Sequence, residues 1–265
     1  MIIRCEETEK QLIYEYIGAD YPRCLYLYLD LKKYGFASDT VEVYIQLDGS
    51  FITAVLLKYY SCLHVYSKDN AFDADELSTF ILKNKFTMVY CAESTACRLY
   101  DRLSGALGER AVLTTGWVAQ IKAVDLIPRG LAALAQKHDF DQIVRMIYDD
   151  EDIGRSYRYD ELAQQLEERN RQGYARNLVI KQDDLVIAHA CTNAELDNIA
   201  VVAELLVRKE FRRQGYASEI WRDICQRLLS EKKEVYSFYY SNESRILHKK
   251  IGFFEVCEWA KIVFA

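Results

Sequence analysis

One stretch of this chain decides its fold: Ala203-Glu204-Leu205-Leu206-Val207-Arg208-Lys209-Glu210-Phe211-Arg212-Arg213-Gln214-Gly215-Tyr216-Ala217-Ser218. Residues 199–207 are aliphatic apart from Glu204, which is typical of a strand buried on both faces. Four cations follow, at 208, 209, 212 and 213. From 217 to 232 the apolar residues recur at the spacing of one helix face; they are Ile220, Trp221, Ile224, Cys225, Leu228 and Leu229. The stretch therefore predicts a strand, a basic glycine turn and a helix, in that order.

This order of elements is suited to binding an anion. The first turn of a helix leaves backbone N–H groups without partners, and the helix dipole adds partial positive charge there. Gly215 can adopt a positive φ and lets the backbone approach a ligand closely. Arg212 and Arg213 would add charge-assisted hydrogen bonds. The turn is therefore predicted to hold a pyrophosphate, with a solvated surface turn as the alternative.

Two motifs resemble those of the GNAT superfamily of N-acyltransferases. Arg212-x-x-Gly215-x-Ala217 resembles the family's acyl-CoA pyrophosphate loop, Gln/Arg-x-x-Gly-x-Gly/Ala. Downstream, Asn242-Glu243-Ser244-Arg245-Ile246-Leu247-His248-Lys249-Lys250-Ile251-Gly252-Phe253 resembles the family's Asn-x-x-Ser/Ala-x-x-Leu-Tyr-x-Lys-x-Gly-Phe helix and helix exit. The chain departs from this pattern at His248, where many members carry a tyrosine that protonates the leaving thiolate of CoA.

The composition indicates a soluble globular protein with an ordinary core. The chain has 265 residues, of which 51% are hydrophobic and 28% charged, and only two prolines and eleven glycines. A net charge of −6 argues against a general nucleic-acid binder or a protein of anionic membranes. No apolar run reaches the length of a membrane span, and the acidic residues 1–10 lack the apolar core of a signal peptide. A cytoplasmic location is predicted.

The cysteine pattern gives no support to a metal site. None of the eight cysteines forms a Cys-x-x-Cys pair, and no histidine cluster accompanies them. Most lie within apolar runs, as buried thiols do in a reducing compartment. We therefore expect no metal.

The second half of the chain has the element order of the GNAT fold. It begins with a strand (131–136), two helices (139–148 and 158–171) and a hairpin (176–181 with 185–191). The central strand (199–207) and the glycine loop follow, and then a helix (217–232), a strand (234–240), a helix (243–250) and a last strand (253–264). The resemblance implies an α+β fold, in which a mixed and mostly antiparallel sheet is flanked by helices, and it covers about 131–265.

The first half repeats much of that order and is interpreted as a degenerate copy. Helices are predicted within 6–34, 73–83 and 94–107, and strands at 41–46, 51–60, 61–67, 87–91 and 111–123, with Asp48-Gly49 as a hairpin turn. It has no counterpart of the basic glycine loop; the acidic turn Lys68-Asp69-Asn70 follows the corresponding strand and would repel a pyrophosphate. We predict domains at 1–125 and 131–265 with a linker at 126–130. Two-domain members that hold acyl-CoA only in the C-terminal copy, including the glycine N-acyltransferase-like group, are similar.

The resemblance assigns acyl-CoA contacts residue by residue. Leu205, Leu206 and Val207 would offer strand backbone groups to the pantetheine arm. The pyrophosphate would be held by Arg212, Arg213, Gln214, Gly215, Tyr216, Ala217 and Ser218. Asn242 would lie near the pantetheine or thioester end, although a helix N-cap explains it equally well.

Two residues are candidates for the chemistry. Glu204 is the one charge in an apolar strand, so burial should raise its pKa toward the range of a general base; a hydrated or ion-paired carboxylate is the alternative. His248 is the candidate acid, and a helix residue without a chemical role is the alternative. Weaker candidates are Glu195 and Asp197 as bases and Tyr236, Tyr239 and Tyr240 as acids.

The predicted function is N-acetyl transfer. Acetyl-CoA would donate its acetyl group directly to a primary amine of a small molecule or amino-acid-like acceptor, in a monomer or homodimer. Loops at 18–23, 148–158 and 193–198 are candidates for the acceptor pocket. A non-catalytic acyl-CoA-binding module is an alternative, which the missing tyrosine permits. A protein lysine or N-terminal acetyltransferase is a third interpretation, with the acidic segment 149–152 as its only hint.

Overall fold

The computed structural model describes residues 1–36, 38, 40–151, 153–154 and 158–264. It divides into two compact units, 1–118 with 256–264 and 119–255. Parts of the predicted acceptor loop 148–158 and of the acidic segment 149–152 lie outside the described residues. Within the described ranges, no helix is both long enough and apolar enough to span a bilayer.

The first unit is a sheet with helices on both faces. Its strands are β1 (Ile2–Arg4), β2 (Val41–Asp48), β3 (Phe51–Tyr59), β4 (Cys62–Tyr66) and β5 (Met88–Cys91), and its helices are α1 (Lys10–Ile17), α2 (Leu25–Tyr34), α3 (Ala74–Asn84) and α4 (Glu93–Leu107). Neighbouring strands from β1 to β4 pair antiparallel, whereas β4 and β5 are parallel. Residues 54–57 of β3 are all buried, because Ala54 and Leu56 face one helical layer while Val55 and Leu57 face the other.

The second unit has the same strand order. Its strands are β7 (Ala133–Leu134), β8 (Asn177–Gln182), β9 (Leu185–Glu195), β10 (Ile199–Val207) and β11 (Glu234–Tyr239), and its helices are α5 (Phe140–Tyr148), α6 (Tyr159–Arg171), α7 (Tyr216–Ser230) and α8 (Asn242–Ile251). Strands β7 to β10 pair antiparallel, and β10 and β11 are parallel. The buried face of α7 includes Ile220, Trp221, Ile224, Cys225 and Leu228, as the helical spacing predicts. The predicted fold class, a mostly antiparallel sheet flanked by helices, is confirmed.

Two strands complete the chain. Residues 111–118 of strand β6 (Ala111–Ile121) belong to the first unit and residues 119–121 to the second, and β12 (Phe253–Phe264) has the bounds that the sequence predicts. The predicted domain 131–265 includes all of β12, and the residues of this strand from 256 onward belong to the first unit. There, residues 260–263 pair antiparallel with β5.

The predicted linker 126–130 is held firmly within the second unit. On one side of it, the Asp125 carboxylate accepts two hydrogen bonds from Arg222, at 2.7 and 2.8 Å. Within it, Arg129 forms an ion pair of 3.3 Å with Glu219 of α7. These bonds from Asp125 and Arg129 hold the segment against α7.

Candidate functional site

Strand β10 contains a bulge at Glu204. Its register with β9 shifts between Ala203 and Leu206, and Glu204 itself has a φ of 54°. A positive φ is unusual for a residue with a side chain, and it turns the strand locally. The parallel register with β11 covers residues 199–202, whereas β10 continues to Val207. The bulge therefore marks the point beyond which the two strands no longer pair.

The bulge determines which backbone groups of β10 face the gap beside β11. Arg208 donates its backbone N–H to the Ile187 carbonyl oxygen of β9 at 2.9 Å, and Leu206 lies opposite His189 of the same strand. Because successive residues of a strand present their backbone groups to opposite edges, Leu205 and Val207 turn theirs toward the gap. Of the three backbone positions that the sequence predicts for pantetheine, Leu206 is thus directed to β9.

The gap leads to the first turn of α7. Gly215 is the N-cap residue, with a φ of 88° and no side chain to cap the helix, and an ideal Cβ at this position meets open space. The N–H groups from Tyr216 to Ser218 precede the first internal helix bond, which Glu219 donates to the Gly215 carbonyl oxygen at 3.0 Å. Arg213 also has a positive φ, of 62°. Such consecutive turns form a concavity of N–H groups that favours an anion.

The three arginines of the turn have different surroundings. Arg208 donates to the Val186 carbonyl oxygen at 2.6 Å and is half-buried, so it anchors the turn to β9. Arg212 is exposed and donates through Nε to the Val207 carbonyl oxygen at 3.0 Å, which leaves its terminal nitrogens beside the gap. Arg213 and Gln214 are exposed. The predicted pyrophosphate residues therefore surround one helix start.

The corresponding helix start of the first unit is closed to anions. After the parallel strand β4, helix α3 begins at Asp73, whose side chain accepts hydrogen bonds from the backbone N–H groups of Asp75 and Glu76, both at 3.0 Å. A carboxylate therefore occupies the position at which α7 has only Gly215. The prediction that the first half would repel a pyrophosphate rests on the turn 68–70, and Asp73 gives it a direct structural reason.

The Glu204 side chain lies in a buried polar cluster. Its exposed fraction is 7%, and its Oε2 atom lies 3.2 Å from the Cys191 sulfur. The same sulfur lies 3.3 Å from the Asn193 Oδ1 atom. Burial beside a thiol is compatible with a general base and disfavours the alternative of a hydrated carboxylate.

His248 is buried with both ring nitrogens engaged. Its Nδ1 atom lies 2.7 Å from the Ser244 carbonyl oxygen, which can only accept, so Nδ1 carries the proton. Its Nε2 atom then accepts from the Ser237 hydroxyl at 2.9 Å. Burial lowers the pKa of His248 to about 4. A neutral ring without a proton on Nε2 argues against His248 as the acid.

The start of α8 corrects the alternative interpretation of Asn242. The N-cap residue is Ser241, whose side chain accepts from the Ser244 backbone N–H at 3.1 Å. Asn242 is the first helical residue and is exposed. Its predicted position near the thioester stays a prediction.

Of the weaker catalytic candidates, Glu195 and Tyr239 form bonds away from the turn. Glu195 is buried and paired with Arg176 and Lys233, at the end of β9 remote from the turn that follows Val207. Asp197 is exposed in the turn before β10. Tyr239 donates its hydroxyl to Glu255 at 2.7 Å, and burial raises its pKa above the usual range.

Two close contacts in this unit could not be read from residue spacing. Cys191 contacts Glu204 across the strand pair, a relation that residue spacing does not reveal. Gly252 has a φ of 118°, and a Cβ there would lie 2.6 Å from the Ala123 carbonyl oxygen. Its place in the motif at the exit of α8 could have indicated the positive φ, but not the close approach of residue 123. Among the described residues, no group of three or more potential ligands could hold a metal ion.

Comparison with known proteins agrees with this geometry. Residues 140–253 match the model of the acetyltransferase (GNAT) family. This segment contains the bulge, the glycine turn, α7 and α8. No curated protein matches the chain in sequence.

Solved structures resemble the whole chain. A Drosophila protein has a TM-score of 0.67 and 11% identity over 100% of this chain and 98% of that one. A GCN5-related N-acetyltransferase-like protein from Streptococcus suis has a TM-score of 0.63 and 12% identity over 98% of this chain and 100% of that one. A tandem GNAT protein from the clavulanic acid biosynthesis pathway has a TM-score of 0.57 and 9% identity over 99% and 97%, respectively. At these identities the likeness shows the fold alone.

Residues 140–253 thus resemble the acetyltransferase (GNAT) family in sequence, and the fold of the chain is GNAT-like.

Proposed function

We propose that the protein is an N-acetyltransferase that passes an acetyl group from acetyl-CoA directly to a primary amine of a small, amino-acid-like molecule. The observation that carries the proposal is the separation of β10 from β11 beyond Val202, in line with a helix start that Gly215 leaves uncapped. An extended amide-bearing arm fits a gap between strands, and a pyrophosphate fits a helix start.

Acetyl-CoA would lie along β10. The pantetheine amides would pair with the backbone of Leu205 and Val207, as an added strand does. The pyrophosphate would accept N–H bonds from the first turn of α7 and charge-assisted bonds from Arg212 and Arg213. This placement brings the thioester toward the bulge, because the arm runs from the helix start back toward Glu204.

Glu204 would act as the general base. It removes a proton from the acceptor ammonium, directly or through a water, and the free amine attacks the thioester carbonyl carbon. The new C–N bond forms, the C–S bond breaks, and CoA leaves as the thiolate. The burial of Glu204 and its place at the mouth of the gap support this role.

The two units would be two copies of one fold, of which only the second binds acyl-CoA. Their shared strand order supports this, as does the capping of α3 by Asp73. A neighbour described as a tandem GNAT protein resembles the chain over nearly its whole length. This arrangement is that of the glycine N-acyltransferase-like group. The buried thiols of Cys191 and Cys225 fit the predicted reducing, cytoplasmic setting.

Calorimetric titration of acetyl-CoA tests the binding site. We expect saturable binding that Gly215→Glu abolishes, because the added carboxylate lies at the anion position. Gly173→Glu is the matched control, since Gly173 also has a positive φ and open space around its ideal Cβ, at the far end of α6. Equal binding by both folded variants would overturn the proposal.

One observation favours a non-catalytic acyl-CoA-binding module. His248 replaces the family tyrosine and has no proton directed to an acceptor other than the Ser244 carbonyl. Screening of primary amines for CoA release distinguishes the two functions. An enzyme should lose about a hundredfold in kcat/KM with Glu204→Gln at unchanged acetyl-CoA affinity. Tight binding without release of CoA from any amine would favour the module.

A further inference from the structure

The cysteine beside Glu204 is fully buried between three strands. Cys191 lies on β9, opposite Ala203 of β10 on one side and Asn177 of β8 on the other. Its exposed fraction is 0%. Because the bulge follows directly after Ala203, the Glu204 side chain reaches back over the neighbouring strand to the sulfur.

The thiol has one proton and three oxygen atoms within reach. The Glu204 Oε2 atom lies at 3.2 Å, the Asn193 Oδ1 atom at 3.3 Å and the Ala203 carbonyl oxygen at 3.7 Å. The amide and carbonyl oxygens can only accept, as can the carboxylate when it is ionised, so the sulfur is then the donor. A bond to a charged acceptor is about twice as strong as one to a neutral acceptor, and the carboxylate is also the nearest. The S–H group is therefore directed to Glu204 whenever that carboxylate is ionised.

We propose that Cys191 is a positioning residue for the reaction, which fixes the Glu204 carboxylate through an S–H···O bond. The inference rests on the proposed function, in which Glu204 is the base. The bulge leaves the Glu204 side chain on a strained backbone, and the thiol supplies a donor that orients one carboxylate oxygen.

The surroundings exclude a nucleophilic role for this thiol. Burial, followed by the Glu204 charge, raises the pKa of Cys191 well above its ordinary value. A thiol that stays protonated is a donor and not a nucleophile.

Other charged groups that face the pair do not titrate near neutrality. Burial lowers the pKa of His189, on the same strand, to about 3. The Arg169 guanidinium of α6 acts on the thiol through its permanent positive charge. A change in the pH dependence between pH 5 and 8 therefore reports on Glu204 and its donor.

Serine and alanine at position 191 test the inference. Serine keeps a donor of similar size, whereas alanine removes it. Cys225→Ala is the matched control, because Cys225 is equally buried in α7 and burial alone raises the pKa of its thiol. We expect Cys191→Ala to lower kcat/KM about tenfold, and Cys191→Ser and Cys225→Ala to stay within about threefold of the wild type.

The pH profile gives a readout that packing would not move. Loss of the donor destabilises the charged carboxylate, so the acid limb of kcat/KM should move to higher pH in Cys191→Ala by about one unit. In Cys191→Ser it should stay or move to lower pH. KM for acetyl-CoA should not change. Identical limbs in the alanine and serine variants would overturn the inference, as would an equal loss of rate in both.

Infrared spectroscopy tests the contact without any turnover. The S–H band of Cys191, isolated as the difference between wild type and Cys191→Ala, should lie at lower frequency than the band of Cys225. In Glu204→Gln it should move toward the Cys225 band, because a neutral acceptor binds the proton less strongly. A Cys191 band that coincides with that of Cys225 and ignores Glu204→Gln would refute the contact. If that band does move while Glu204→Gln retains full turnover, the failure lies with the proposed base and not with the S–H···O bond.

Discussion

Alanine at each motif glycine should separate ligand binding from folding. Gly215 has a φ of 88° and open space around an ideal Cβ, whereas Gly252 has a φ of 118° and a Cβ there would lie 2.6 Å from the Ala123 carbonyl oxygen. Gly215 is therefore required for its conformation and for access to the helix start. Gly252 is required for its conformation and also for the absence of a side chain against the backbone.

The two costs can be estimated from these contacts. An alanine in the left-handed region costs roughly 1–2 kcal/mol, and at Gly215 this is the whole effect on stability. At Gly252 a clash adds about 1–3 kcal/mol, because the Ala123 carbonyl must shift. That shift also strains the nearby bond from the Asp125 N–H to the Ile251 carbonyl oxygen, which measures 2.9 Å. We expect losses of about 1 kcal/mol for Gly215→Ala and about 3 kcal/mol for Gly252→Ala.

Urea denaturation measures the stability of the two variants, and acetyl-CoA titration measures their affinity for the ligand. Gly252→Ala should lower the unfolding midpoint clearly and leave the affinity of the folded protein unchanged. Gly215→Ala should unfold near the wild-type midpoint and raise the Kd about tenfold, because its methyl group stands where the anion must approach. Equal losses of stability would refute the role of crowding at Gly252. Wild-type affinity of Gly215→Ala would refute the anion site.

Three further results are expected. Arg176 lowers the pKa of Glu231 below its ordinary value of 4.5. The Glu231 carboxylate therefore stabilises the fold above pH 4.5, and this stabilisation is lost as the pH falls below that value. In urea titrations, Glu231→Gln should lose less stability than the wild type below pH 4.5. Burial lowers the pKa of His248 from 6.5 to about 4, so the unfolded chain takes up the proton first, and the wild type should lose stability between these values while His248→Gln lacks that slope. The same variant should keep the alkaline limb of the rate profile, and its disappearance would restore His248 as the acid. Arg212→Ala should raise the Kd for acetyl-CoA about tenfold and reduce its salt dependence, whereas unchanged binding would remove Arg212 from the site.

Local patterns predicted the elements that build the site. The aliphatic run 199–207 is β10 at those bounds, and the motif from 242 to 253 forms α8 and its glycine exit. The positive φ of Gly215 also follows from its place before a helix. These features depend on hydrophobic period, helix capping and glycine conformation, all of which act over a few residues.

The contacts that give the site its chemistry depend on register and could not be predicted. The apolar spacing of β10 gives no sign that Glu204 has a positive φ, because a bulge depends on how two strands align. The approach of Cys191 to Glu204 follows from that alignment. His248 matches a catalytic position in sequence, yet the bond between its Nε2 atom and the Ser237 hydroxyl depends on the packing of α8 beside β11.

The strand that pairs with β12 could not be predicted from the sequence, for the same reason. The bounds of β12 follow from alternation and β-branched residues, but pairing is a long-range choice that the alternation does not encode. Residues 260–263 pair with β5, which is distant in sequence and belongs to the first half of the chain. The bounds of β12 could therefore be predicted from the sequence, whereas its pairing with β5 could not.

The comparison of the two helix starts explains how one strand order can give different binding properties. Both units place a helix after a strand that is paired in parallel with the next strand. In the first unit, Asp73 satisfies two N–H groups and brings a negative charge. In the second unit, Gly215 does neither, so the N–H groups and the dipole of α7 remain for a ligand. The capacity to bind an anion therefore depends on the residue at the helix start, and the shared fold supplies only the position.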